Sequence, residues 1–195
     1  DFWNGTGARG SLLVVNVPLP RASALILALV FGLGGAGSAE AKPRSSWEVD
    51  PSARRASSIG KPNSGRLRNG VLLPRSGVGY SRRVNVKERY YGTDETIALI
   101  EYVGRRLNAT YPHSAPMFIG DISKKGGGRV PPHGSHRTGR DVDIAFFEKS
   151  NTERKHFNGR LSLSDLDVEK SWFLIETLLL TEQVLYIFIN QRLLP

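Results

Sequence analysis

The stretch from Pro131 to Phe147 reads PPHGSHRTGRDVDIAFF and sets His136 seven residues before Asp143. An imidazole and a carboxylate can both ligate zinc, provided they sit on unlike supports that converge on one tetrahedral centre. The supports differ here. His136 lies in a glycine-bounded turn, Asp143 near the start of an apolar strand, and Thr138-Gly139 can fold the intervening residues back. A polar loop that merely leads into a hydrophobic strand would carry the same letters, so the pair alone leaves both readings open.

The elements that must position these residues follow from periodicity. In DVDIAFF the side chains alternate, which puts Asp141, Asp143, Ala145 and Phe147 on one face and Val142, Ile144 and Phe146 on the other. Before it comes GDISKKGGGRVPPHGSH, whose glycines and prolines exclude regular structure and predict a long site-bearing loop after a short strand, Met117 to Ile119. Upstream, Thr93 or Asp94 opens a predicted helix to Leu107, with acids in its first turn, Arg105 and Arg106 in its last, and Ile97, Ile100, Val103 and Leu107 facing the core. Downstream, Ser164 and Asp167 resemble a capping box opening a helix to about Leu180, with Val168, Trp172, Ile175 and Leu179 as its buried stripe. VLYIFI, residues 184–189, reads as a fully buried strand. The fold class expected is α+β: a small mixed or antiparallel sheet flanked by helices, with the metal site at a loop-to-strand junction.

Composition limits the classes of function. At 195 residues and 39% hydrophobic the chain can bury one core. It has no cysteine, which excludes disulfides, thiolate zinc sites and a lipoprotein anchor. Residues 22–37, ASALILALVFGLGGAG, follow Arg21 and end at Ser38-Ala39-Glu40-Ala41, the pattern of a secretory signal cleaved after Ala41. The run is shorter than the roughly 20 residues a membrane span requires, so no stable span is expected after cleavage. The chain opens on Asp1 rather than methionine, and residues 1–20 precede the leader awkwardly, as a fragment or an early translation start would produce.

The net charge of +9 comes entirely from residues 42–92, which hold twelve Lys or Arg against three acids, whereas residues 93–195 are neutral. The Pro-, Ser-, Gly- and Arg-rich run 42–70 shows neither helical nor strand period and is expected to be a flexible basic linker. It is either a solvated tether or an electrostatic hold on an anionic envelope polymer. The expected division is therefore 1–41 upstream residues and signal peptide, 42–70 linker, and 71–195 the folded domain. KKGGGR lacks the strand, helix and Lys-Ser or Lys-Thr context of a phosphate loop.

Taken together, Gly120-Asp121 with Ser123, then Gly126 to Gly128, then HGSHRTGRDVDI resemble the zinc-binding segment of the penicillin-insensitive murein endopeptidases. That family is related to the D-alanyl-D-alanine carboxypeptidases and the hedgehog signalling domain. LPRSGVGY, RYYGTDETIALIEYVGRRL, the Trp172 helix and YIFIN resemble its flanking regions, so the likeness runs from about Gly70 to Leu194. It implies a periplasmic or otherwise envelope-exported zinc hydrolase whose partner is peptidoglycan and whose substrate is the D-alanyl to meso-diaminopimelate cross-link. His136 and Asp143 are then two zinc ligands and His133 a further one, with Ser135 and Asp141 orienting the ligands. Arg89, where the family has Arg-Asn-Trp-Gly and this chain Arg-Tyr-Tyr-Gly, becomes a candidate for a substrate carboxylate, as does Ser135 for substrate contact. His113 and His156 match nothing in the family pattern.

The resemblance also places a third ligand and a proton-transfer group in a His-x-His element after the YIFIN-like strand. None precedes Pro195, so no catalytic residue is assigned, the general base is expected beyond Pro195, the C-terminal part of the domain is expected to be missing, and the chain as given is expected to be inactive. Two other classes stand beside the hydrolase: a non-catalytic wall-binding protein of the same fold, and a polyanion or nucleic-acid binder acting through the basic linker. Export and the neutrality of residues 93–195 disfavour nucleic acid.

Overall fold

The computed structural model describes residues 12–16 by their backbone, and residues 55–83, 87–155 and 161–189. Among the described residues ten strands follow in chain order: β1 (Leu12–Asn16), β2 (Ser57–Ile59), β3 (Arg66–Arg68), β4 (Val71–Leu72), β5 (Ser76–Gly77), β6 (Tyr80–Arg82), β7 (Tyr91–Gly92), β8 (Met117–Ile119), β9 (Asp141–Ala145) and β10 (Tyr186–Ile189). Two helices, α1 (Asp94–Thr110) and α2 (Val168–Leu180), complete the α+β fold. The main sheet runs β10-β1-β9-β8-β6-β5. Among the described strands only β6 and β8 pair in parallel, so the sheet is mixed, and β2-β3 and β4-β7 form separate antiparallel pairs. The core lies between this sheet and the helices, around Leu73, Ile100, Val103, Ile119, Ile144, Leu174 and Leu178.

α1 starts as its sequence dictates. Thr93 stays extended and its side chain accepts from the Thr96 amide, while Asp94 and Glu95 face the positive end of the helix dipole. Ile97, Ile100, Val103 and Leu107 are buried, joined by Leu99. The helix continues past Leu107 to Thr110, so Arg105 and Arg106 are not in the last turn. It stops because Pro112 disfavours helical geometry at Tyr111, whose amide closes onto the Leu107 carbonyl.

α2 departs further from expectation. Its cap is Asp167, which accepts from the Lys170 amide; Ser164 instead belongs to a preceding turn in which Ser162 bonds Asp165. The buried face is Ser171, Leu174, Thr177 and Leu178, and Val168, Trp172 and Leu179 are more than half exposed. Apolar residues surround this helix, so spacing could not choose a face. The small Ser171 decides the approach, its hydroxyl accepting from the Phe147 amide. β10 is likewise half-buried rather than fully buried: Tyr186 and Phe188 face outward, Ile187 and Ile189 pack on the core.

The expectation of a flexible linker over 42–70 fails in its second part. Residues 57–68 form the β2-β3 hairpin and bury Leu67. Asp94 accepts from the Arg55 and Ala56 amides, and the Leu67 and Arg137 amides bond Gly126 and Pro62 carbonyls. Three-residue strands with one apolar side chain are too short to show a period, which is why composition misled. The folded region accordingly begins before Val71. Residues 42–54 and the leader at 22–41 lie outside the described residues. Among the described residues no helix is long and apolar enough to cross a membrane.

Candidate metal centre

The site is built on main-chain pairing. After β8, the Gly120 amide bonds the Asp143 carbonyl and the Asp143 amide bonds the Asp121 carbonyl, at 2.7 and 3.0 Å. On its other side the same segment is held by the Arg89 carbonyl, which accepts from the Ile122 and Ser123 amides. Asp121, Ile122 and Ser123 are thus fixed between β9 and the turn before β7, and all three then reach the histidine loop.

His136 is buried, 1% exposed, and takes a left-handed backbone conformation with φ 62°. For a residue with a Cβ this costs on the order of 1–3 kcal/mol and persists only where the surroundings determine it. They do. Its amide donates to Asp141 Oδ2 at 2.8 Å, its carbonyl accepts from the Ser123 hydroxyl at 2.6 Å, and Nδ1 lies 2.9 Å from the Ile122 carbonyl. A carbonyl only accepts, so Nδ1 carries the hydrogen and Nε2 presents a lone pair. Nε2 points at Asp143 Oδ1, 3.0 Å away.

That contact tests the fit of a metal. Asp143 is buried, and its Oδ1 has no partner of hydrogen-bond geometry among the described residues. Two lone pairs facing each other at this distance repel unless a cation or a proton sits with them. His133 closes the group: its ring centroid is 4.5 Å from that of His136, its Nε2 is 3.9 Å from Asp143 Oδ2, and one donor atom from each of His133, His136 and Asp143 lies within 4.8 Å of the others. Imidazole and carboxylate donors of this kind fit zinc.

With a proton in place of a metal, burial pushes the His136 pKa down, but the Asp143 charge and contact, with Asp141 and the Ile122 carbonyl, outweigh it and raise it to about 9. The ordinary value is about 6.5. The raised value stabilises the metal-free fold fully below pH ~6.5, and this contribution, on the order of 3 kcal/mol, is lost as pH rises through 9. Denaturant titrations of chelator-treated protein should show stability declining across that window. A flat profile there would exclude the His136–Asp143 ion pair.

Asp121 was not singled out by sequence reasoning, although it stands in the motif as the residue after Gly120. Its Oδ2 accepts from His133 Nε2 at 2.9 Å and from Arg89 Nη1 at 2.6 Å. Burial pushes its pKa up, and these two partners more than reverse that and hold it below the usual carboxylate range. Arg89 therefore reaches the site through Asp121. Ser135 is half-buried between the histidines and has no hydrogen bond to either ring among the described residues. His113 lies away from the cluster, its carbonyl accepting from Asn151, and His156 lies outside the described residues.

The model of one protein family, penicillin-insensitive murein endopeptidase, matches residues 58–184, a span that contains every member of the cluster. The chain belongs to that family. Curated penicillin-insensitive murein endopeptidases resemble it at modest identity. That of Haemophilus influenzae is 37% identical over 91 residues, covering 46% of this chain and 31% of the relative. That of Klebsiella pneumoniae strain 342 is 33% identical over 123 residues, covering 61% and 43%. One from Escherichia coli is 30% identical over 121 residues, covering 60% and 42%. The chain thus spans less than half the length of the murein endopeptidases it matches. The family match starts at Ser58, inside β2, which agrees with the ordered hairpin and not with a linker reaching Gly70.

Proposed function

We propose that this murein endopeptidase chain serves zinc-dependent hydrolysis of peptide cross-links in peptidoglycan, of the D-alanyl to meso-diaminopimelate type, after export to the periplasm or cell envelope. The observation that carries the reading is the buried Asp143 Oδ1 facing a His136 Nε2 whose every other polar group is committed. His133, His136 and Asp143 would hold the ion. Zinc there supplies a Lewis acid that polarises a scissile carbonyl and lowers the pKa of water to about 7. Asp141, Ile122 and Ser123 keep His136 in its strained pose, so its ring is already aimed before any ion arrives. Arg89, with a third of its side chain exposed beside Asp121, offers a guanidinium edge to a substrate carboxylate, and Ser135 lies close in sequence to both histidines.

The test is purified protein that includes the His-x-His element expected after Pro195 and holds stoichiometric zinc, incubated with cross-linked muropeptide dimers and followed by mass spectrometry. Conversion to monomers that stops on adding a chelator is the expected result. Intact dimers would overturn hydrolysis, and co-sedimentation with sacculi without peptide release would establish a wall-binding protein instead.

A further inference from the structure

Asp121 is the polar group at the centre that neither family membership nor the ligand set explains. Its carboxylate lies outside the three-residue donor cluster, yet a single oxygen, Oδ2, takes hydrogen bonds from both His133 and Arg89. An ionised carboxylate only accepts, so His133 Nε2 must carry a hydrogen to make this bond. Arg89 balances the charge, so Asp121 does not require a cationic ring: a neutral His133 protonated on Nε2 satisfies it. The backbone carrying Asp121 cannot drift, since its carbonyl is bonded to the Asp143 amide and the next two amides to the Arg89 carbonyl.

We propose that Asp121, backed by Arg89, is the positioning residue of the centre and that it fixes His133 as the Nε2–H tautomer, leaving Nδ1 as that ring's lone pair. The two histidines are then set in opposite senses. His136 keeps its hydrogen on Nδ1, against the Ile122 carbonyl, and presents Nε2 to Asp143; His133 keeps its hydrogen on Nε2, against Asp121, which leaves its Nδ1 without one. One tripeptide, Asp121-Ile122-Ser123, therefore specifies both rings: the first residue by its side chain, the second by its carbonyl, the third through the His136 carbonyl. Outer partners of this kind orient a ligand and raise its basicity, and their loss typically lowers metal affinity about 10–100-fold.

The inference rests on the metal reading only for its consequence, since the tautomer is a property of metal-free protein. Ring nitrogens of 15N-labelled, chelator-treated protein would be read by long-range 1H–15N correlation at a pH where His133 is neutral. The expected spectrum shows His133 as the Nε2–H tautomer. In Asp121→Ala that preference should disappear and zinc affinity fall about 10–100-fold. Asp121→Asn, which keeps an acceptor without the charge, should retain the tautomer, and it serves if the alanine variant does not fold. An Nδ1–H tautomer in the unaltered protein, or an unchanged tautomer in a folded Asp121→Ala, would overturn the proposal. If no divalent ion binds at all, the zinc reading fails while the tautomer still decides the role of Asp121.

Discussion

Asp143→Ala is expected to abolish retention of a divalent ion, with a loss in zinc affinity well beyond the roughly 100-fold that removal of an outer partner costs. Asp143 is the only carboxylate in the donor cluster and lies on β9, whose pairing does not depend on that side chain. The variant should therefore fold with unchanged helix content. Without the Asp143 charge and contact, only Asp141 and the Ile122 carbonyl still oppose burial at His136, so the pH dependence described for the metal-free protein should shrink. His136→Ala should lose the ion equally, and His156→Ala should not. Calorimetric titration with zinc, alongside circular dichroism, measures both quantities. Stoichiometric zinc retained by a folded Asp143→Ala would remove this residue from the site.

Gly79→Ala is expected to destabilise the fold by about 3 kcal/mol, a large share of the roughly 5–15 kcal/mol that holds a domain together. Gly79 has φ +75°, and a Cβ built on it would lie 1.9 Å from the Gly104 carbonyl oxygen in α1. Nothing there can swing aside, because the obstacle is helix backbone. Alanine restricts the unfolded chain and so recovers about 0.4–1 kcal/mol, but left-handed strain and overpacking, each on the order of 1–3 kcal/mol, exceed that. Urea unfolding would register the loss as a fall in midpoint at unchanged slope. A stability within about 0.5 kcal/mol of the parent would mean that α1 does not rest on the β5-β6 turn.

Much of the frame could be read from local patterns because those patterns were unambiguous. Thr93 capped α1 and its apolar residues showed one face; Met117–Ile119 and DVDIA appeared as strands; His136 and Asp143 meet where loop passes into strand. What escaped depended on the third dimension. α2 carries apolar side chains all round, and only its neighbours determine that Leu174 and Leu178 face inward while Trp172 and Leu179 do not. The β2-β3 hairpin is held by amides and carbonyls of distant loops, which leave no trace in side-chain pattern. Asp121 sits twelve residues from His133 and is tied to it only because Gly120 and Asp121 pair with Asp143. No spacing rule would have linked them.

β1 carries a consequence for how the polypeptide is processed. It fills the place between β9 and β10, with Val14 opposite Asp143 and Phe188 opposite Val14 on the far side. These residues belong to the same first 41 that a signal peptidase cutting after Ala41 would discard. Retention of β1 and removal of the leader are mutually exclusive fates. A chain that keeps it has an unbroken six-stranded sheet; a chain that loses it has two facing strand edges about 10 Å apart, one of them belonging to the strand of Asp143. Unpaired edges of that kind recruit whatever extended segment can reach them. Maturation would thus decide which backbone lies beside the metal-binding aspartate, and the intact mass of protein recovered from the envelope would report which fate the cell has chosen.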